Sequence, residues 1–246
     1  MKQIPNAVTL LNLFLGSVAV VLAIKGLPHY SAIIIGICSL LDFADGMLAR
    51  LLKAHSALGQ QLDSLADLVS FGMAPSAIIY HYMHQAAQTI NPTALQIVLP
   101  FSAFLLATFA GLRLAIFNID TRQTNSFIGL PTPANAAFFA SLSFVPAFAT
   151  RQGFIFSLVE NITSSLPAML IMIIVFSWLM ISPIHMFSLK IKNFRWKENE
   201  IRYIFAGLVL LSILIFGLQA VALIVIFYII LSLVSTAAKK QMGKLK

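Results

Sequence analysis

Apolar runs of about twenty residues, parted by short polar or proline-bearing breaks, recur from one end of the chain to the other. A bilayer's hydrocarbon core needs about 20 such residues per helical span. The pattern predicts eight membrane helices, at 7–24, 29–52, 60–83, 93–118, 133–150, 166–186, 201–217 and 219–237. The last two form one apolar stretch too long for a single tilted span, so it is divided at Phe216-Gly217-Leu218-Gln219. The stretch 153–165 reads as a short interfacial helix. Pro75 is expected to kink the third span, and Pro131 and Pro133 to begin the fifth, where proline is tolerated. The fold class is therefore all-α: a polytopic membrane helix bundle in one domain, 1–246. A helix pair and a basic tail occupy 201–246.

Composition agrees. The chain is 59% hydrophobic and 10% charged, with a mean hydropathy of +0.92, where soluble domains carry roughly 25% charged residues. The N-terminal stretch has a signal-like charge-then-apolar order but lacks a small-x-small cleavage site, and reads as a retained first span. Cys38, the single cysteine, lies in an apolar run and reads as a small buried hydrophobe.

The net charge of +8 is explained by where the charges lie. With the N-terminus inside, fourteen of the sixteen Lys and Arg fall in inner segments; only Lys25 and Arg151 fall outside. That is the positive-inside signature. It predicts cytoplasmic termini and no nucleic-acid partner.

Of eight acidic residues, four lie between 42 and 67: Asp42, Asp45, Asp63 and Asp67. Asp42 and Asp45 are i,i+3, and Asp63 and Asp67 are i,i+4, so each pair shares a helix face. A short basic turn, 51–58, joins the two helices and can bring all four carboxylates together at the cytoplasmic end. Unrelieved, they would repel one another and suffer desolvation. Protonation, arginine partners or bound cations would relieve this, and Arg50 and Lys53 are too few to do so alone. Hard divalent ions favour such oxygen ligands together with substrate phosphates. Two ions about 3.5–4 Å apart suit phosphoryl displacement. The absence of a suitably spaced histidine argues against zinc. Gly46, Ala49 and Gly59 beside the acids read either as small-residue helix packing or as room for a ligand against the backbone.

In full the stretch is Asp42-x2-Asp45-Gly46-x2-Ala49-Arg50-x8-Gly59-x3-Asp63-x3-Asp67. It resembles the signature of the CDP-alcohol phosphatidyltransferases at all eight positions. IPNAVTLLNLFLG, DLVSFGMAPS and FIGLPTPANAA resemble the family's phosphatidylserine synthase branch. The resemblance implies transfer of a phosphatidyl group from CDP-diacylglycerol to L-serine at the cytoplasmic face of the cell membrane, in a homodimer. It implies that Asp42, Asp45, Asp63 and Asp67 hold divalent metal, Mg²⁺ or Mn²⁺, as two ions, with Asp67 also the general base. Gly46, Ala49, Arg50 and Gly59 would hold the CMP portion.

Two readings stand for Asn6 and Thr9: a position near the nucleotide, or helix entry with Asn6 as cap. Arg113, at the inner end of the fourth span, reads as an anion site for acceptor carboxylate or donor phosphate, or as a snorkelling topology charge. Asn118 and Ser70 join it as acceptor or phosphate candidates. Lys190 and Arg195 read as basic loop residues. His81 and His84 are expected at the outer end of the third span, away from the acids. The Asn161-Ile162-Thr163 glycosylation triplet is of a kind common by chance. Glycerol 3-phosphate, inositol phosphate and choline are the alternative acceptors; few basic residues are available for a phosphorylated one, which favours serine. A cation transporter, the remaining alternative, would place its acids near the bilayer midplane.

Overall fold

Backbone polar groups in a bilayer must be satisfied within their own segment, and each of the eight apolar runs accordingly contributes a helix. The computed structural model describes residues 3–54, 56–88, 93–120, 127–144, 154–187, 196–217 and 220–244. Helix α1 (Ile4–Ile24) is followed by α2 (Pro28–Leu51), α3 (Ala57–Asp67) and α4 (Ala74–Ala87). Then come α5 (Ala94–Val98), α6 (Leu105–Ile119), α7 (Thr132–Ser141) and α8 (Phe154–Ser164), and finally α9 (Leu166–Ile181), α10 (Trp196–Phe216) and α11 (Ala220–Lys244). Among the described residues five helices are long and apolar enough to cross a membrane. They are α1, α2, α3 continued through α4, α5 continued through α6, and α10; the bent α8–α9 pair makes a sixth if taken as one span.

Several boundaries differ from the sequence reading, for local reasons. The sixth run stops at Ile181, not 186, because Ser182 is extended and Pro183 has no amide hydrogen to donate. The segment expected to be a short interfacial helix is helical over Phe154–Ser164, and it meets α9 at 94°. Ser165 makes that break by accepting a hydrogen bond from the amide of Ala168, with Pro167 in the first turn of α9. The fifth run is helical over Thr132–Ser141; its remainder, 145–150, lies outside the described residues, as do Arg122, Arg151, Lys190, Lys192 and Arg195. The division of the last stretch is real. Helix α10 ends at Phe216 and Gly217 follows with φ +61°, the left-handed conformation that ends helices.

The third run is one long helix with a wide π turn over Leu68–Met73, immediately after Asp67. Pro75 lies just beyond this turn and cannot supply its share of backbone hydrogen bonds. The hydroxyl of Ser76 donates 2.7 Å to the carbonyl of Gly72. A kink expected at Pro75 is thus taken up as a local widening of the helix, of a kind often found at functional sites.

Helices α1 and α2 make the most extensive contact in the bundle. Gly16, Ala19 and Ala23 line the buried side of α1, where Gly16 lies against Ser70 of the π turn, so neighbouring elements approach the α1 backbone closely through small residues. The fully buried Phe71, Ile78, Ile79 and Met83 make α3–α4 the central helix of the core.

Within the all-α class there is one small exception among the described residues. Phe127–Ile128 and His185–Met186 pair as antiparallel two-residue strands. Beside them the amide of Gly129 donates 2.9 Å to Ile184 and that of Leu130 donates 2.9 Å to Leu179. Gly129 has φ +76°, and a Cβ there would overlap the carbonyl of Met180. The Gly129-Leu130-Pro131-Thr132 stretch is therefore pinned to the end of α9, which fixes where α7 begins.

Candidate active site

Helix α2 ends in a tight reversal that delivers the second acid pair beside the first. Lys53 takes φ +49°, and the amide of Ala54 bonds back to Ala49 at 2.9 Å, a Schellman-type ending. Ser56 then caps α3 by accepting from the amide of Gly59 at 3.0 Å. The result is that Asp42, Asp63 and Asp67 each place one carboxylate oxygen within 4.8 Å of the other two. Asp45 lies outside this triad but is close enough for its charge to act on all three. It is 5% exposed and accepts a 2.6 Å hydrogen bond from the hydroxyl of Thr9 on α1. The Oδ1 of Asp67 is buried with no hydrogen-bond partner. A triad of hard oxygen donors with an unsatisfied buried oxygen fits a divalent cation such as Mg²⁺.

Next to the triad, between α1, α2 and α3, is a cavity of about 650 Å³, within the usual range for a small-molecule site of about 300–1,000 Å³. Asn6, Thr9, Gly46, Ala49, Arg50 and Gly59 all line it, together with Asp45 and Asp63. Asp63 therefore belongs to both the triad and the cavity. The two glycines differ in purpose. A Cβ on Gly46 would meet nothing within 4 Å, whereas one on Gly59 would come 3.0 Å from Oδ1 of Asn6 and 3.1 Å from Oγ of Ser56. Helix packing thus accounts for Gly59, while Gly46 opens onto empty space. The Nε of Arg50 donates 2.9 Å to the carbonyl of Gly46, so the exposed guanidinium lies back along α2 at the cavity rim. Asn6 is no helix cap: α1 already begins at Ile4, behind Gln3, which leaves the cavity-lining reading.

A profile of the CDP-alcohol phosphatidyltransferase family matches residues 2–238. The chain belongs to the CDP-alcohol phosphatidyltransferase family. It is similar to the CDP-diacylglycerol–serine O-phosphatidyltransferase of Saccharomyces cerevisiae, 37% identical over 167 residues, covering 61% of this chain and 55% of that protein. The enzyme of the same name from Bacillus subtilis is 36% identical over 148 residues, 58% of this chain and 77% of that one. That of Helicobacter pylori strain J99 is 36% identical over 134 residues, 54% and 53%. The chain thus spans about half the length of two of these relatives.

The CDP-alcohol phosphatidyltransferase signature is accounted for position by position: three acids in the triad, the fourth held by Thr9, and the small residues and arginine around the cavity. The other candidates are more scattered. Asn118 donates 2.9 Å to the hydroxyl of Ser64, next to Asp63. Ser70 is fully buried and donates 2.8 Å to the side chain of Asn12, tying the π turn to α1. Arg113 is 7% exposed, with Nη1 3.4 Å from the hydroxyl of Thr132 and its guanidinium over the Phe117 ring. Its charge reaches Asp67, and burial beside an acid is not the setting of a snorkelling side chain. His81 lies near Gly26, past the far end of α1, remote from Thr9 and Asp45.

Sequence reasoning missed Thr132, Asn12 and Asn135. All three are polar, essentially unexposed and set in apolar helices, and an intramembrane polar residue is itself the signal. The sequence places Thr9 near the nucleotide and does not reveal it as the donor that holds Asp45.

Proposed function

We propose that this protein transfers the phosphatidyl group of CDP-diacylglycerol to the hydroxyl of L-serine, forming phosphatidylserine and releasing CMP. The observation that carries this reading is the acid triad bordering a nucleotide-sized cavity through a shared residue, Asp63. The serine specificity named for the similar yeast and bacterial enzymes supports the acceptor.

In this reading the cavity takes the CMP portion. Gly46 and Ala49 let the nucleotide lie against the backbone of α2, Gly59 lets α1 and α3 close around it, and Asn6 and Thr9 offer polar contacts. Arg50 is suited to phosphate because its planar fork donates two parallel hydrogen bonds. Divalent metal, as Mg²⁺ or Mn²⁺, held by Asp42, Asp63 and Asp67 with Asp45 completing a two-ion set, would stabilise charge on the donor's phosphate oxygens. Asp67 takes the proton from the serine hydroxyl as the oxygen forms its bond to the lipid-side phosphorus. The bond from that phosphorus to the bridging oxygen breaks, and CMP leaves.

The remaining features follow from the charge distribution and the family resemblance. The chain makes eight spans with both termini in the cytoplasm, works at the inner face of the cell membrane, and pairs as a homodimer. Purified protein with CDP-diacylglycerol, Mn²⁺ and labelled serine should form labelled phosphatidylserine and CMP in equal amounts. Lipid product formed only from glycerol 3-phosphate or inositol phosphate, supplied in parallel, would overturn the acceptor assignment.

A further inference from the structure

The π turn that follows Asp67 is held between α6 and α1, and the two sides hold it differently. On the α6 side the fit is apolar: a Cβ at Gly72 would come 3.2 Å from the Cβ of Ala110 and 3.4 Å from the Cα of Ala107. On the α1 side a Cβ at Gly16 would overlap the hydroxyl of Ser70. One turn earlier on α1, Oδ1 of Asn12 accepts a 2.8 Å hydrogen bond from that hydroxyl, which also lies 3.2 Å from the Asn12 carbonyl. The thiol of Cys38 on α2 donates 3.6 Å to the same carbonyl. Asn12, Cys38 and Ser70 have no exposed surface, and Nδ2 of Asn12 is buried without a partner. An unmet buried amide costs stability, so packing alone does not account for an asparagine here. The bond that its oxygen makes does.

A π turn carries one residue more than the α-helix it interrupts. Relaxing it to α geometry would swing the adjoining residue by up to about 100° and move it about 1.5 Å. Beyond the turn, Ile78, Ile79 and Met83 are fully buried in the core and cannot follow. The far end of α3 is held as well, where Gly59 meets Asn6 and Ser56 caps the helix. The change would therefore fall on Asp67, which directly precedes the turn. We infer that Asn12 and Ser70 are positioning residues, whose hydrogen bond fixes the π turn and thereby aims Asp67 at Asp42 and Asp63. The inference rests on the reading of Asp67 as a metal ligand. Thr9, Asn12 and Gly16 lie on the buried side of α1, so one helix sets both halves of the acid cluster: Asp45 through Thr9, and Asp67 through the turn.

The test titrates Mn²⁺ into the full chain in lipid nanodiscs, as wild type, Ser70→Ala, Ser70→Cys and Asn12→Ala, with melting temperatures to show that each is folded. Ser31→Ala, which removes a fully buried hydroxyl with no partner, is the control. Mn²⁺ affinity should weaken about tenfold in Ser70→Ala and in Asn12→Ala. Ser70→Cys keeps a weaker donor at the same place and should fall between them and wild type, which preserves the comparison where Ser70→Ala does not fold. Ser31→Ala should bind as wild type does. Each change is then repeated on Asp67→Asn. A residue that acts through Asp67 loses its effect there, so Ser70→Ala should now change Mn²⁺ affinity by less than about twofold. Affinity within about twofold of wild type in both Ser70→Ala and Asn12→Ala, or an equal loss with and without the Asp67 carboxylate, overturns the positioning role and leaves the metal reading standing. Wild type that binds no Mn²⁺, or Asp67→Asn that binds it as wild type does, overturns Asp67 as a ligand and this inference with it.

Discussion

The hydroxyl of Thr9 on α1 donates a 2.6 Å hydrogen bond to the carboxylate of Asp45 on α2. One signature acid is therefore aimed by a residue thirty-six positions earlier, across the main helix contact of the bundle. Removing the hydroxyl with Thr9→Val keeps the shape and leaves Asp45 with one donor fewer. The expected result is a loss of about 1–3 kcal/mol in stability and Mn²⁺ affinity weakened by about 10–100-fold. Thr9→Ser should restore most of both. Thermal melts and Mn²⁺ titration of the two variants decide it.

Asp67→Asn keeps volume and removes the proposed base. Turnover should fall by about 10²–10⁴-fold while the protein still binds CMP. Wild-type turnover in that variant would remove Asp67 from the proposed role. Labelled-serine incorporation measures the rate, and calorimetry with CMP shows whether the cavity survives.

Chelation tests the triad as a whole. EDTA should abolish transfer, and added Mg²⁺ or Mn²⁺ should restore it in wild type. Asp42→Asn and Asp63→Asn should each need a much higher metal concentration for half-maximal rate. An enzyme fully active in EDTA would refute the metal reading.

Gly46 and Gly129 make a contrasting pair. Gly46 meets no neighbour where a Cβ would go, so Gly46→Ala should fold well and even gain up to about 1 kcal/mol of helix propensity. Gly46→Leu should fold too, yet its side chain would enter the cavity and weaken CMP binding at least tenfold. Gly129→Ala should instead destabilise by about 1–3 kcal/mol, because its backbone is left-handed and its Cβ would overlap Met180. Melting temperature and CMP affinity, measured on all three, separate the two roles.

Much of the site is legible in the sequence, because its spacing is helical. Asp42 and Asp45, and Asp63 and Asp67, had to share faces of their helices, and a short turn between those helices had to bring the pairs together. Less legible was how the four acids divide. Three converge within 4.8 Å and the fourth is held by Thr9, a distinction set by how α1 lies across α2. The two glycines of the signature look alike in sequence, yet one relieves a helix contact and the other fronts a void. The bond from Ser70 to Asn12 likewise has no signal in the sequence. The π turn was anticipated only as a proline kink, since spacing cannot tell a bend from a widened turn.

Local chemistry thus determined the helices, their breaks, the acid pairs and the family, because hydrophobic run length, proline and glycine placement and i,i+4 spacing act within a few residues. The contacts among Arg113, Thr132 and the π turn came only from tertiary structure. So did the Thr9–Asp45 bond, the cavity and the isolation of Asn135. Each depends on which faces of distant helices meet, and in an apolar chain nearly every face is equally greasy. The few buried polar groups, and the small residues that let backbones close on them, decide that choice.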